Sequence, residues 1–426
     1  MTERKTITPT HRYRNNDKLI GIGNEFWDMS ERNGLAGIVA DLDAGSGVLR
    51  ATEGHEFIAE GHEFVNFSCC SYLDLDSHPE VIEGGIDAMR RYGVLDHCIA
   101  RSRVQIPAMR ELETSLGELF GAQVVCSIAA STATFGLLPL IASGHLGNGT
   151  RPLMIFDRNA HVSMAGLKPV CADETEVVTS RHHDLDFIED MCKKYAKVAY
   201  VCDGSDSLGG YAPVKELAEL QDKYGLLVYY DDSHSLSAYG ERGVGYVRTH
   251  SPVQDERTIT VVTLNKAFGT SGAAIVLDGQ SKKTLRVIER FGGALNYSQL
   301  LNTASVGASL ASAQIHRTGE LTTLQNRLYA NIELFDSLVR TEQAGSTFPI
   351  RLVPMSDATV IEAGRRVIEA GFYVSPVFFP IVARGTAGLR VMMRAGQTEQ
   401  QIRDLCDVLV EVGAEAAAPL SGEAVL

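Results

Sequence analysis

Between about Phe67 and Ala308, short β-branched runs without polar interruption alternate with stretches of helical spacing, and this alternation narrows the available folds to a few. The runs are VVCSI at 124–128, LMIFD at 153–157, VAYVCD at 198–203, LLVYYDD at 226–232, TITVVTL at 258–264 and AAIVLD at 273–278. A strand with one wetted face alternates apolar and polar residues. These runs do not, so helices must cover both faces of the sheet they form. Residues 108–121 and 214–225 carry helical spacing and end in glycine, a common helix stop. The pattern predicts an α/β fold built from βαβ units around a mainly parallel, buried sheet.

From about Ser309 the pattern changes to a long helical stretch reaching roughly Thr341, then RLVPM, a helix near 357–370, FYVSPVFFP, LRVMM and a final helix from near Thr398. This predicts a smaller α+β domain. The expected division is an N-terminal arm at 1–65, a large domain at 66–308 and a small C-terminal domain at 309–426, with an alanine-rich tail at 413–426 that frays. No internal repeat is present in the sequence.

The 426 residues are 45% hydrophobic and 22% charged, the composition of a folded globular chain. A net charge of −14 would repel a phosphate backbone, so no nucleic-acid partner is expected. The polar N-terminus has no signal-peptide core, and no run approaches the length of a membrane helix, so a cytosolic location without membrane contact is expected. Eight scattered cysteines without a C-x-x-C pair read as reduced thiols. His182-His183-Asp184 reads as a solvated turn, and no metal is expected.

In open α/β sheets ligands sit at the carboxyl ends of the strands. The run LLVYYDDSHS ends in Asp231, Asp232 and His234. An acid there can neutralise a protonated heterocyclic nitrogen; equally, Asp232 or Ser233 can cap a following helix. VVTLNKAFGTSG places Lys266 just past a strand, among small residues that let backbone approach a ligand, with the Thr263 hydroxyl nearby. Such a lysine, partly desolvated, can form an imine with an aldehyde; alone, it would be an ordinary surface lysine. Ile128 and Ala129 lie where VVCSI passes into a helix, a place for an anion on free backbone N–H groups. His161 follows LMIFD and could stack on a flat ring or be a satisfied polar side chain.

In this order the residues resemble the α-oxoamine synthases among the fold-type I enzymes that use pyridoxal 5′-phosphate (PLP), over about residues 65 to 410. D-D-S-H at 231–234 with Y-G-E-R-G-V-G, and T-L-N-K-A-F-G-T-S-G-A-A at 263–274, carry most of the likeness. N-F-S-C-C-S-Y-L-D-L at 66–75 and D-R-N-A-H-V-S at 157–163 add to it. The resemblance implies a large domain with a mainly parallel seven-stranded sheet. Lys266 becomes the Schiff-base lysine, Asp231 the pyridine-nitrogen partner, His234 the contact to the ring oxygen and His161 the stacking ring. Thr263, Ser207 and the backbone near Ile128 and Ala129 become further cofactor contacts, and Arg390 and Asn66 substrate contacts. The family's homodimer would place Ser298 near the neighbouring subunit's phosphate.

The implied reaction condenses an α-amino acid with an acyl thioester and releases carbon dioxide, in a biosynthetic role. Lys266 would act as the base that removes the α-proton. Alternatives are aminotransfer or aldol-type cleavage on the same scaffold, or a non-catalytic subunit. The chain departs from the family at YGVLDHCIARSRVQIPAMRELE, where most of the usual glycines are gone. Asp96, His97, Arg101 and Arg103 are therefore expected to shape a different donor pocket, for CoA or for a carrier protein. Gln397 stands where the family has a histidine, and Asn265 where it has serine or glycine.

Overall fold

The computed structural model describes residues 28–417 except 30, 32–34, 43–46, 55–57, 98–99, 148 and 380. Cys98 and the end of the alanine-rich tail, 418–426, lie outside the described residues. Three short strands open the described chain, β1 (Ala40–Leu42), β2 (Val48–Ala51) and β3 (Glu63–Asn66). The central sheet follows with β4 (Gln123–Ser127), β5 (Leu153–Asp157), β6 (Val177–Ser180), β7 (Val198–Asp203), β8 (Leu227–Asp231), β9 (Thr258–Thr263) and β10 (Ala273–Leu277). Its spatial order is β4-β10-β9-β8-β7-β5-β6, parallel except for β10, which runs antiparallel to β4 and β9. The large domain is thus the doubly covered, mainly parallel seven-stranded sheet that the apolar runs predict, in the fold-type I arrangement.

Side chains alternate between the two helical layers because successive strand residues point to opposite faces. On β8, Leu227 and Tyr229 pack with Leu137 and Ile141 of the helix Ala130–Ala142. Val228 and Tyr230 pack instead with Ile188 and Leu217 of the helices Leu185–Lys194 and Val214–Tyr224. All four strand residues are buried, each stabilising the fold by about 1.5–3 kcal/mol before chain entropy is counted.

Three differences from the sequence expectation stand out. The stretch from Ser309 to Thr341 is two helices, Thr303–Ile315 and Gly319–Leu338, because Thr318 caps the second through the Glu320 N–H. β6 completes the sheet as an edge strand paired only with β5. The first three strands are joined by β12 (Phe372–Tyr373), parallel to β3, so N-terminal and C-terminal segments share one small sheet. β11 (Ile350–Pro354), β13 (Ser375–Val377) and β14 (Gly388–Met392) form a separate antiparallel sheet ordered β11-β14-β13. The seven described cysteines are all free, and among the described residues no helix is long and apolar enough to cross a membrane.

Candidate active site

The carboxyl ends of β5, β7, β8 and β9 converge on one cavity of about 280 Å³. Asp203 ends β7 and Asp231 ends β8, and the two are register partners on adjacent parallel strands. β9 ends at Thr263, and the loop carrying Lys266 returns directly into the antiparallel β10. That loop is held tight by Gly269 N–H donating to the Lys266 carbonyl and Leu264 N–H donating to the Gly272 carbonyl. Gly269 has φ 77°, and a Cβ there would stand 2.4 Å from the Asp76 nitrogen, so only glycine lets the lysine loop rest on residues 75–76.

Asp231 and His234 are buried, and Lys266 is half-buried between them and Arg390. Burial lowers the pKa of the Lys266 amine; Arg390 adds to the effect, while Asp231, Cys70 and Asp203 oppose it. Burial first, and then the charge of Asp231, push Asp203 up to about 8, so this acid keeps its proton at neutral pH. Burial holds His234 well below the usual histidine range, and Lys266 and Arg390 push the same way. Its Nδ1 lies 2.7 Å from the Tyr72 hydroxyl. When Tyr72 donates, the neutral ring carries its own proton on Nε2.

Lys266, Asp231, His234, His161, Thr263, Ser207, Ile128 and Ala129 all line this cavity. Arg390 sits beside it, its Nη1 3.2 Å from the Ser207 carbonyl and its buried Nε without a partner among the described residues. Asn66 and Ser298 are not brought to the wall. Asn66, at the end of β3, accepts from Ser68 N–H, and the Ser298 hydroxyl is covered within the chain. The Thr263 hydroxyl is already engaged, its single proton donated to Asn265 Oδ1 with the Gly272 carbonyl as the longer alternative acceptor at 3.2 Å. His161 caps the short helix Val162–Ala165, and its own N–H donates to Asp203 at 2.9 Å. Asp232 accepts from Val247 N–H and so caps the helix Tyr246–His250, which begins fourteen residues later.

One expectation needs correction. His182 and His183 are not merely a solvated turn. Both rings lie near the buried Asp157, whose carboxylate also accepts from Tyr200 and from the Asn159 and His183 N–H groups. Burial alone would raise Asp157, but these donors outweigh it and hold the carboxyl at about 2. With its lone pairs already filled, it braces the turn. Arg101 is buried, pairs with Glu113 at 2.6 Å and lines a second cleft, while Asp96 accepts from Gln299. This larger cleft of about 950 Å³ lies at the Gln123 end of β4, away from the carboxyl ends that carry the candidate residues.

The cavity suits PLP. An amine, a carboxylate and two imidazoles face one space, and the helix Ala130–Ala142 starts at its wall with no side chain capping its N-terminus. Those free N–H groups offer a cradle for a phosphate. Asp203 and Tyr72 are the residues that the sequence analysis passed over. Asp203 ends its run just as Asp231 does and could have been found by the same rule.

A model of the aminotransferase class I and II family matches residues 161–409, more than half of the chain. The 8-amino-7-oxononanoate synthase of Alkaliphilus metalliredigens is 28% identical over 86% of this chain and 92% of its own length. The 2-amino-3-ketobutyrate coenzyme A ligase of Escherichia coli is 27% identical, over 84% and 89% respectively. A serine palmitoyltransferase from S. paucimobilis, solved with bound PLP–myriocin, superposes with a TM-score of 0.80 at 19% identity, covering 95% of this chain and 99% of that one.

Proposed function

Because the chain belongs to the aminotransferase class I and II family, we propose that it is a PLP-dependent α-oxoamine synthase. It condenses an α-amino acid with an acyl thioester, forming the new carbon–carbon bond and releasing the thiol and carbon dioxide to leave an α-amino ketone. The observation that carries this reading is the meeting of Lys266, Asp231, His234 and His161 in one cavity at the strand ends. When bound there, PLP supplies the electron sink for the α-carbon.

The residues divide the remaining work. Lys266 would hold the cofactor through its amine, and the same Nζ would take the α-proton of the amino acid; its lowered pKa suits both tasks. Asp231 would hold the ring nitrogen and favour its protonated form. His234, oriented by Tyr72, would offer Nε2 to the ring oxygen. Arg390 offers a planar pair of donors to the amino-acid carboxylate, and its unpartnered Nε supports that role. His161 covers the ring, and Ile128, Ala129, Thr263 and Ser207 complete the cofactor's surroundings.

We also propose a cytosolic homodimer, in which Ser298 must turn outward to reach the neighbouring site, and in which Asn66 supports the substrate from the second layer of residues. The proposed units are the arm at 1–65, the cofactor-binding domain and the small C-terminal domain. The last boundary is best set at the break between Ile315 and Gly319, because 308/309 falls inside a helix. Incubating the PLP-loaded enzyme with single amino acids and acyl thioesters, with product analysis by mass spectrometry, tests the reading. An α-amino ketone formed only when both are present supports it; a keto acid formed without thioester would identify an aminotransferase instead.

A further inference from the structure

We propose that the groove between the helices Pro79–Tyr92 and Thr303–Ile315 holds the acyl chain of the thioester, and that this chain is an uncharged hydrocarbon. The inference rests on the condensation proposed above and names its donor. The groove encloses about 380 Å³ and shares Ser271 with the cavity lined by Lys266. Gly269 and Thr270, from the same loop, line it too. A chain lying there therefore ends next to the cavity that holds Lys266.

Its apolar wall is written in the helix periodicity. Ile82, Ile86 and Met89 stand at i, i+4 and i+7 and form one stripe, while Glu83, Asp87 and Arg90 face solvent. Ile82 is 48% exposed, a large apolar side chain that the described residues leave about half uncovered. The two helices meet backbone on backbone: a Cβ on Gly307 would stand 2.2 Å from the Gly84 carbonyl oxygen. The groove runs beside this contact.

Charge decides which acyl chains fit. The Thr270 hydroxyl is already bonded to Ser309 at 2.8 Å, and the one charged lining residue is the acid Asp76. No lysine, arginine or histidine is among the described lining residues. An acyl chain ending in a carboxylate would set a second negative charge near Asp76 with no cation to answer it, whereas an alkyl chain gains by burial.

The test is equilibrium binding to the PLP-loaded enzyme, without amino acid, of N-acetylcysteamine thioesters from butanoyl to decanoyl, and of a decanoyl analogue ending in a carboxylate. Affinity is expected to rise about twofold to fourfold per added methylene, and the uncharged decanoyl thioester to bind at least about tenfold tighter than its carboxylate analogue. Ile82→Lys should weaken the decanoyl thioester and bring the carboxylate analogue level with it or ahead. A flat chain-length series, equal or tighter binding of the carboxylate analogue, an unchanged order in Ile82→Lys, or no binding because a second copy covers the groove would each overturn the proposal. Adding amino acids separates the two readings. Decanoyl binding without any amino ketone would sink the condensation while leaving the groove standing. Amino ketone formed only from short or carboxylate-ended thioesters would sink the groove while leaving the condensation intact.

Discussion

Replacing Asp203 with asparagine should make the cofactor-free protein more stable at alkaline pH and leave it unchanged in acid. The cause is the pairing of Asp203 with Asp231 at the ends of two adjacent parallel strands. Burial and that neighbour raise the Asp203 carboxyl from 3.8 to about 8. The unfolded chain gives up this proton near pH 4, while the folded chain keeps it to about pH 8. Between those limits the folded state binds more protons, so stability falls as pH rises, and below about pH 4 the penalty is absent. At 1.36 kcal/mol per pKa unit the full penalty has a ceiling of ~6 kcal/mol. Local opening and water entry relieve part of it, so a gain of about 1–3 kcal/mol is expected for Asp203→Asn at pH 8. For a chain this long, 1 kcal/mol corresponds to roughly 1 °C in thermal midpoint. Differential scanning calorimetry of both proteins at pH 3.5 and pH 8 should show nearly equal midpoints at the first and the variant higher by about 1–3 °C at the second. Equal midpoints at both, or a variant that is less stable at pH 8 only, would refute the carboxylate pairing.

Asp231→Asn should keep the fold, by circular dichroism, and lower turnover by about 10²–10³-fold or more, because a neutral amide does not hold the ring nitrogen's proton; near wild-type turnover would remove its role. Asp336→Ala should destabilise the protein by about 3–5 kcal/mol in denaturant titrations, since it strands the fully buried Arg351, whose Nε and Nη2 donate to that carboxylate. Gly307→Ala should cost about 1–3 kcal/mol or more, because the added methyl meets the Gly84 carbonyl oxygen; a neutral result in calorimetry would mean that the helices can move apart freely.

The six strands read from the sequence stand within a residue or so of their observed ends, because strands buried on both faces must be apolar throughout. β6 escaped for the opposite reason: VVTS lies at the sheet edge, is short and ends in two polar residues. β1, β2, β3 and β12 are two to four residues long, too short for a clear period, and β12 is defined by its pairing with β3 far earlier in the chain, which no local pattern records. In the site, Lys266, Asp231 and His161 could be read because they follow apolar runs. Tyr72 could not, since it meets His234 across 162 residues of sequence. The pairing of Arg101 was illegible for a similar reason: its partner Glu113 lies on the next helix, and nothing local records that contact.

The most direct test of the account is to load the protein and Lys266→Ala with PLP, reduce both with borohydride and map the labelled peptides by mass spectrometry. The account predicts one phosphopyridoxyl group per wild-type chain, on Lys266, and none in the variant. Label on another lysine, equal labelling of the variant, or a wild-type protein that takes up no cofactor would contradict it.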